Sequence, residues 1–122
     1  MHWRFLLLLL LLTSCYSIER NCTDFKTGTF EFAYTVNGET KVGTFKRTEN
    51  FSIDYFDNKV DSASVRWVND CEFVLTKINP KSMSEEKAIH FKILTTTATS
   101  YNFEYNFVGE TNKQKGIAKR ID

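Results

Sequence analysis

The side chains that could carry out acid–base chemistry are few, and they lie in polar stretches. After the first 14 residues the only histidine is His90, on the polar side of an alternating segment. Carboxylates are paired at Asp54 and Asp57 and at Glu85 and Glu86, in turn-like segments. Catalysis by such a pair needs one desolvated carboxyl group with a raised pKa. We expect these four carboxylates to be solvated, and we therefore expect a non-enzymatic protein without catalytic residues.

The beginning of the chain has the organisation of an export signal. Arg4 supplies a positive charge ahead of residues 5–12, an apolar run with seven consecutive leucines. A membrane-spanning helix needs about 20 apolar residues, so this run is too short for a permanent anchor. We expect residues 1–14 to be a signal peptide, residues 15–23 a short tether and residues 24–122 a single domain.

The signal ends in a motif that carries further information. Residues 12–15 (LTSC) resemble the lipobox of bacterial lipoproteins, which implies lipidation of Cys15 and cleavage before it. Several acyl chains on one cysteine anchor a protein stably to the lipid bilayer. The alternative is a general signal peptidase that cuts after Cys15 or Ser17 and frees the chain. Tyr16, rather than aspartate, follows the cysteine, and by resemblance this favours the outer membrane.

The other two cysteines are available for a disulfide. An odd number of cysteines in an exported chain suggests that one of them, Cys15, has a separate role. Cys22 and Cys71 then pair in an oxidising compartment, and two buried free thiols are the alternative. The chain has no Cys-x-x-Cys spacing, so we expect no metal site, and nothing in the sequence indicates a cofactor.

The segments after residue 28 alternate apolar and polar side chains with a period of two, which is typical of half-buried strands. Asn37-Gly38 is a strong hairpin signal because both residues tolerate positive φ. Seven or eight strands follow at intervals of about 8 to 12 residues. The sequence thus predicts an all-β antiparallel meander, either a small lipocalin-like barrel or a sandwich. At most one short helix is expected, near 82–87, where Ser82 and Glu85 have capping-box spacing.

Aromatic residues recur on one side of these strands. Along residues 101–107 the alternation predicts that Tyr101, Phe103, Tyr105 and Phe107 face inward. A barrel of about eight strands is barely wide enough for its own side chains or one small ligand. We therefore expect a filled core and keep a small cavity as the alternative. Its possible ligand-lining residues are Tyr55, Trp67, Phe91, Tyr101 and Phe103.

The charges argue against nucleic-acid binding. The chain has 16 Lys and Arg against 15 Asp and Glu, and removal of Arg4 with the signal leaves 15 of each. A neutral domain lacks the positive charge that attracts a phosphate backbone.

Two segments of the mature chain add a family resemblance. Together with the signal ending at Cys15, residues 21–30 (NCTDFKTGTF) and 66–73 (RWVNDCEF) resemble a group of small uncharacterised bacterial lipoproteins. Some members carry an automatic name of DNA topoisomerase IV, but this exported, neutral chain has no room for ATPase, cleavage and gate domains. The resemblance implies a lipid-anchored envelope protein and supplies no activity or catalytic residue.

From these features we expect a membrane-anchored, non-catalytic β domain of the cell envelope, in the periplasm or at the outer membrane. Its role would be binding or scaffolding, and its partner an unknown envelope protein or small ligand. Two alternatives remain open, a hydrolase-inhibitor lipoprotein and a carrier of small lipophilic ligands.

Overall fold

A computed structural model describes residues 20–122; the predicted signal, Cys15 and most of the tether lie outside the described residues. Within this range eight strands form a closed antiparallel barrel in which each strand pairs with its neighbour in sequence and β8 returns to β1. The predicted all-β meander is therefore confirmed, in its barrel form. The strands are β1 (Gly28–Val36), β2 (Glu39–Arg47), β3 (Phe51–Phe56), β4 (Lys59–Asn69), β5 (Glu72–Lys77), β6 (Ile89–Thr96), β7 (Ser100–Phe107) and β8 (Gln114–Arg120).

Two-residue turns close the first and third strands onto their partners. Asn37 and Gly38 have φ of 51° and 79°, and Asp57 and Asn58 have φ of 50° and 58°. Positive φ at both central residues is the signature of turns whose twist matches that of paired strands. These turns set the β1–β2 and β3–β4 registers.

The segment between β5 and β6 forms turns, which agrees with the prediction of at most one short helix near 82–87. Ser82 Oγ accepts a hydrogen bond from the amide of Glu85 at 3.3 Å, and Glu85 Oε2 accepts one from the amide of Lys81 at 2.7 Å. These bonds resemble those of a capping box, but the chain continues in turns to β6, which begins at Ile89. No helix among residues 20–122 is long and apolar enough to cross a membrane.

One end of the barrel is closed by a short 3-10 turn, Cys22–Phe25, which we call the plug. The buried ring of Phe25 lies 5.3 Å from that of Tyr101, measured between centroids. The structure places the two cysteines that the sequence pairs, Cys22 and Cys71, in a disulfide with a Cα–Cα distance of 5.1 Å. The disulfide ties the plug to the turn between β4 and β5. Residues 20–122 therefore contain the eight strands of the barrel, the plug and the disulfide.

A buried guanidinium group reinforces the closed end. Arg47 is only 3% exposed. Its Nε donates to the Lys26 carbonyl and its Nη1 to the Tyr101 hydroxyl, both at 3.1 Å, and its Nη2 donates to the Phe25 carbonyl. The guanidinium carbon also lies 4.7–5.6 Å from the centroids of five aromatic rings, which favour a cation over their faces. Those rings belong to Phe30, Phe45, Trp67, Phe73 and Tyr101.

Candidate functional site

The half of the barrel away from the plug contains a cavity of about 240 Å³. This volume is close to the lower end of the range for small-molecule sites, about 300 to 1,000 Å³. The expectation of a completely filled core is therefore wrong for this half, although the plugged half is densely packed. Most of the wall is aromatic or aliphatic, and its main contributors are Phe32, Phe45, Leu75, Phe91, Phe103 and Tyr105.

Two glycines give the aromatic rings room beside the wall. A Cβ atom added to Gly43 would lie 2.6 Å from Cζ of Phe32, and one added to Gly116 would lie 2.6 Å from Cζ of Phe103. Because real Cβ atoms do not approach other atoms so closely, each ring lies against the backbone only where the side chain is missing. The glycines thus keep both rings out of the cavity centre.

The cavity has an approach between the first and last strands. β1 and β8 pair at only three positions, with Phe32 opposite Ala118 at the end of the ladder. Farther along, Ala33 and Tyr34 of β1 and residues 115–117 of β8 border the cavity. A side slot therefore leads from the surface to the aromatic wall.

A second cavity, of about 310 Å³, adjoins the first at the open end of the barrel. Asp54, Leu75 and Ile89 line both cavities. The outer cavity is bordered by residues of the β5–β6 segment, including Glu85. Together the two spaces extend from the interior to the open end.

Asp54 is a carboxylate inside this space. Its Oδ1 accepts a hydrogen bond from Ser52 Oγ at 3.2 Å, and in the described part of the chain no cationic side chain lies within ion-pair distance of it. Burial raises the pKa of Asp54, and the negative charge of Asp61 raises it further, while the bond from Ser52 and the charges of Arg47 and Lys77 lower it. The structure therefore contains a partly buried carboxyl group that shares the cavity with aromatic rings.

The expectation that Asp54 is solvated is wrong, and the error lies in the orientation of β3. In this strand Ser52 and Asp54 point into the barrel, whereas Phe51 and Tyr55 are 50% and 45% exposed on the outside. The register explains the inversion, because Ser52 pairs with the inward-facing Arg47 of β2. Tyr55 was expected to line a ligand site, and that prediction is also wrong.

The other expected lining residues are divided between the two halves. Phe91, Tyr101 and Phe103 border the cavity. Trp67 does not: its ring packs against Phe73 at 4.7 Å near the closed end, and its indole Nε1 is buried without a hydrogen-bond partner. Trp67 lies in the packed half because it is near the end of β4, next to the turn that carries the disulfide.

A charged cluster stands at the open end, next to Asp54. Lys77 Nζ lies 2.6 Å from Glu85 Oε1 and 3.6 Å from Asp61 Oδ2. The hydrogen bond between Lys77 and Glu85 raises the pKa of Lys77 and lowers the pKa of Glu85. Lys77 thus pairs with Glu85 and Asp61. In the described part of the chain Asp54 has no ion-pair partner.

The remaining candidate groups are on the outer surface. His90 Nε2 lies 3.2 Å from Glu72 Oε1 on the outer face of neighbouring strands. A hydrogen bond from Asn69 lowers the pKa of Glu72. Among residues 20–122 no group of three or more His, Cys, Asp or Glu side chains is arranged to hold a metal ion.

Comparisons with protein-family models, with curated proteins and with solved structures found no match to this chain. The resemblance to bacterial lipoproteins therefore stays a prediction.

Proposed function

We propose that residues 24–122 form a non-catalytic domain that binds a small, largely apolar molecule inside the barrel, and that acylated Cys15 holds the domain at the cell-envelope membrane. The aromatic cavity carries the binding part of this proposal. Apolar surface moved from water into such a cavity contributes about 25 cal/mol per Å². A scaffold or a hydrolase inhibitor would act through its outer surface and has no use for an internal space, so the cavity favours the ligand carrier.

A binding role is also supported by the isolation of the polar groups. General acid–base catalysis requires a positioned partner within hydrogen-bond reach of the reacting atoms. Near Asp54, the carboxylate of Asp61 interacts with Lys77, and Arg47 donates to the plug. Asp61, Lys77 and Arg47 are thus engaged with other protein groups, and none of them is a positioned acid–base partner of Asp54.

Binding can be tested with naphthylethanol, a neutral probe that has one fused aromatic ring system. We expect calorimetric titration of residues 16–122, with the disulfide intact, to show one saturable site per chain. Ile89 lines both cavities, so Ile89→Trp should fill the space and abolish binding. Val68→Trp adds the same side chain at an exposed position and should leave binding intact. A cavity ligand would be refuted if Ile89→Trp still bound the probe, or if the native protein did not bind it.

The anchor is tested separately in a bacterial host. We expect Cys15→Ala to release the protein from the membrane fraction or to leave it uncleaved, because the acylated sulfur is lost. Intact mass of the membrane-extracted protein would show the acyl groups directly. A variant that is processed normally and still fractionates with membranes would contradict the lipid anchor.

A further inference from the structure

We infer that the ligand is an organic amine whose apolar body fills the aromatic cavity and whose ammonium group pairs with Asp54. This inference rests on the proposed function, since it assigns a chemical class to the ligand of the same cavity. It follows from the combination of a wall of aromatic rings with one carboxyl group that has no ion-pair partner among the described residues.

Asp54 is placed to contact a ligand in either cavity. Its side chain borders both cavities, and in the described residues its hydrogen-bond donor is the hydroxyl group of Ser52 at 3.2 Å. An ionised carboxylate has room for about four hydrogen bonds. Burying a charged group without a partner is costly, so an ammonium group that enters from the cavity would supply the missing donors and charge.

The aromatic rings of the cavity wall also favour a cationic ligand. The ring of Phe91 lies 5.7 Å from that of Phe103 and 5.4 Å from that of Tyr105, and Phe32 lies 5.9 Å from Phe45. The faces of such rings attract cations, and the attraction is strongest where water is excluded. A neutral lipid would gain from the rings alone and would have to desolvate Asp54 without compensation.

Two cations, Arg47 and Lys77, act on Asp54 from nearby strands. Arg47 directs three hydrogen bonds to the carbonyls of Phe25 and Lys26 and to the hydroxyl of Tyr101. Lys77 at the open end is held by Glu85. Lys115 also borders the cavity, but it is exposed at the edge of β8. An anionic ligand would therefore meet the carboxyl group of Asp54, while the buried cation Arg47 donates its hydrogen bonds to the plug, Lys26 and Tyr101.

The amine complex should depend on pH. The titratable groups that face Asp54 are Arg47 on β2, Asp61 on β4, Lys77 on β5 and the hydroxyl group of Tyr101 on β7, with Glu85 behind Lys77. Because burial raises the pKa of Asp54, its carboxyl group stays protonated to a higher pH than that of an exposed aspartate. The affinity for an amine should therefore rise with pH through the titration of Asp54 and then level off, whereas the affinity for a neutral analogue should not follow this titration.

Three probes with the same ring system separate the possibilities: naphthylethylamine, naphthylethanol and naphthylacetate. Calorimetric titration of residues 16–122 at neutral pH should give an affinity for the amine at least about tenfold above that for the alcohol, equivalent to about 1.4 kcal/mol. The carboxylate probe should bind most weakly.

The variant Asp54→Asn keeps the shape of the side chain and removes its charge. We expect the ratio of amine to alcohol affinity to fall from about tenfold or more to about one. Asp70→Asn is the matched control, because Asp70 is an exposed carboxylate paired with Lys26 near the plug. This control should preserve the ratio. Should Asp54→Asn fail to fold, the pH series on the native protein gives the same information without a substitution.

Equal affinity for amine and alcohol in the native protein would overturn the amine assignment and leave the proposed function standing. Tightest binding of naphthylacetate would also overturn it and would transfer the recognition to Arg47. An equal loss of preference in Asp54→Asn and Asp70→Asn would reduce the effect to general surface charge. If none of the three probes binds, both the amine assignment and the cavity ligand are refuted.

Discussion

The two halves of the barrel should respond differently to the loss of one aromatic ring. Phe30 in the plugged half is 0% exposed, and its ring lies 5.1 Å from that of Phe45 and 5.7 Å from that of Tyr101. Replacement by alanine removes the ring and leaves a void that these neighbours cannot fill. We expect Phe30→Ala to lower the free energy of unfolding by about 3 to 5 kcal/mol.

Phe103 provides the matched perturbation in the open half. It is only partly buried, and its ring already borders the cavity. Its truncation enlarges an existing space, so the additional cavity cost is small and only part of the transfer free energy of a Phe side chain is lost. Since full burial of such a side chain contributes about 1.5 to 3 kcal/mol, we expect Phe103→Ala to cost about 1 to 2 kcal/mol.

Urea unfolding of residues 16–122, with the disulfide intact, measures both changes. The difference of about 2 kcal/mol is large against a total stability of about 5 to 15 kcal/mol. Glu104→Ala, on the outer face of β7, is the control and should cost well under about 1 kcal/mol. Equal losses for Phe30→Ala and Phe103→Ala would refute the division into a packed half and an open half.

Three further changes test other parts of the structure. Replacing Cys22 and Cys71 by alanine removes a cross-link across a separation of 49 residues and should lower the free energy of unfolding by about 4 kcal/mol in urea; a loss below about 1 kcal/mol would contradict this. Because the folded pKa of Asp54 is raised, the contribution of Asp54 to native stability should fall as pH increases from about 4 through that pKa. Asp54→Asn should therefore be more stable than the native protein at neutral pH and equal to it in acid; parallel stability curves would rule this out. Gly116→Ala should push the ring of Phe103 into the cavity and weaken naphthylethanol binding by about tenfold in calorimetry, and unchanged affinity would disprove this role of the glycine.

Local alternation accounts for most of what the sequence predicts. In β7 the positions of Tyr101, Phe103 and Tyr105 follow the expected inward face, because successive side chains of a strand point to opposite sides. The Asn37-Gly38 turn also has the positive φ values that its composition requires. These features depend on neighbouring residues alone.

The site depends on contacts between distant residues, and for this reason it escapes local reasoning. Alternation shows which side chains of β3 share a face but not which face is inside, and a shift of one residue exchanges them. The pairing of Ser52 with Arg47 decides the orientation and buries Asp54. The cavity itself depends on Gly43 and Gly116, whose only signal in the sequence is a missing side chain within a strand.

Amide NMR spectra of residues 16–122 during titration with naphthylethylamine test the central claim most directly, since they report where the probe binds. If the probe binds inside the barrel, we expect the largest shifts at four residues that surround the cavity: Asp54, Leu75, Ile89 and Gly116. The plug around Phe25 should change little. Shifts confined to the outer faces of the strands, or unchanged spectra at high probe concentration, would contradict a ligand inside the barrel.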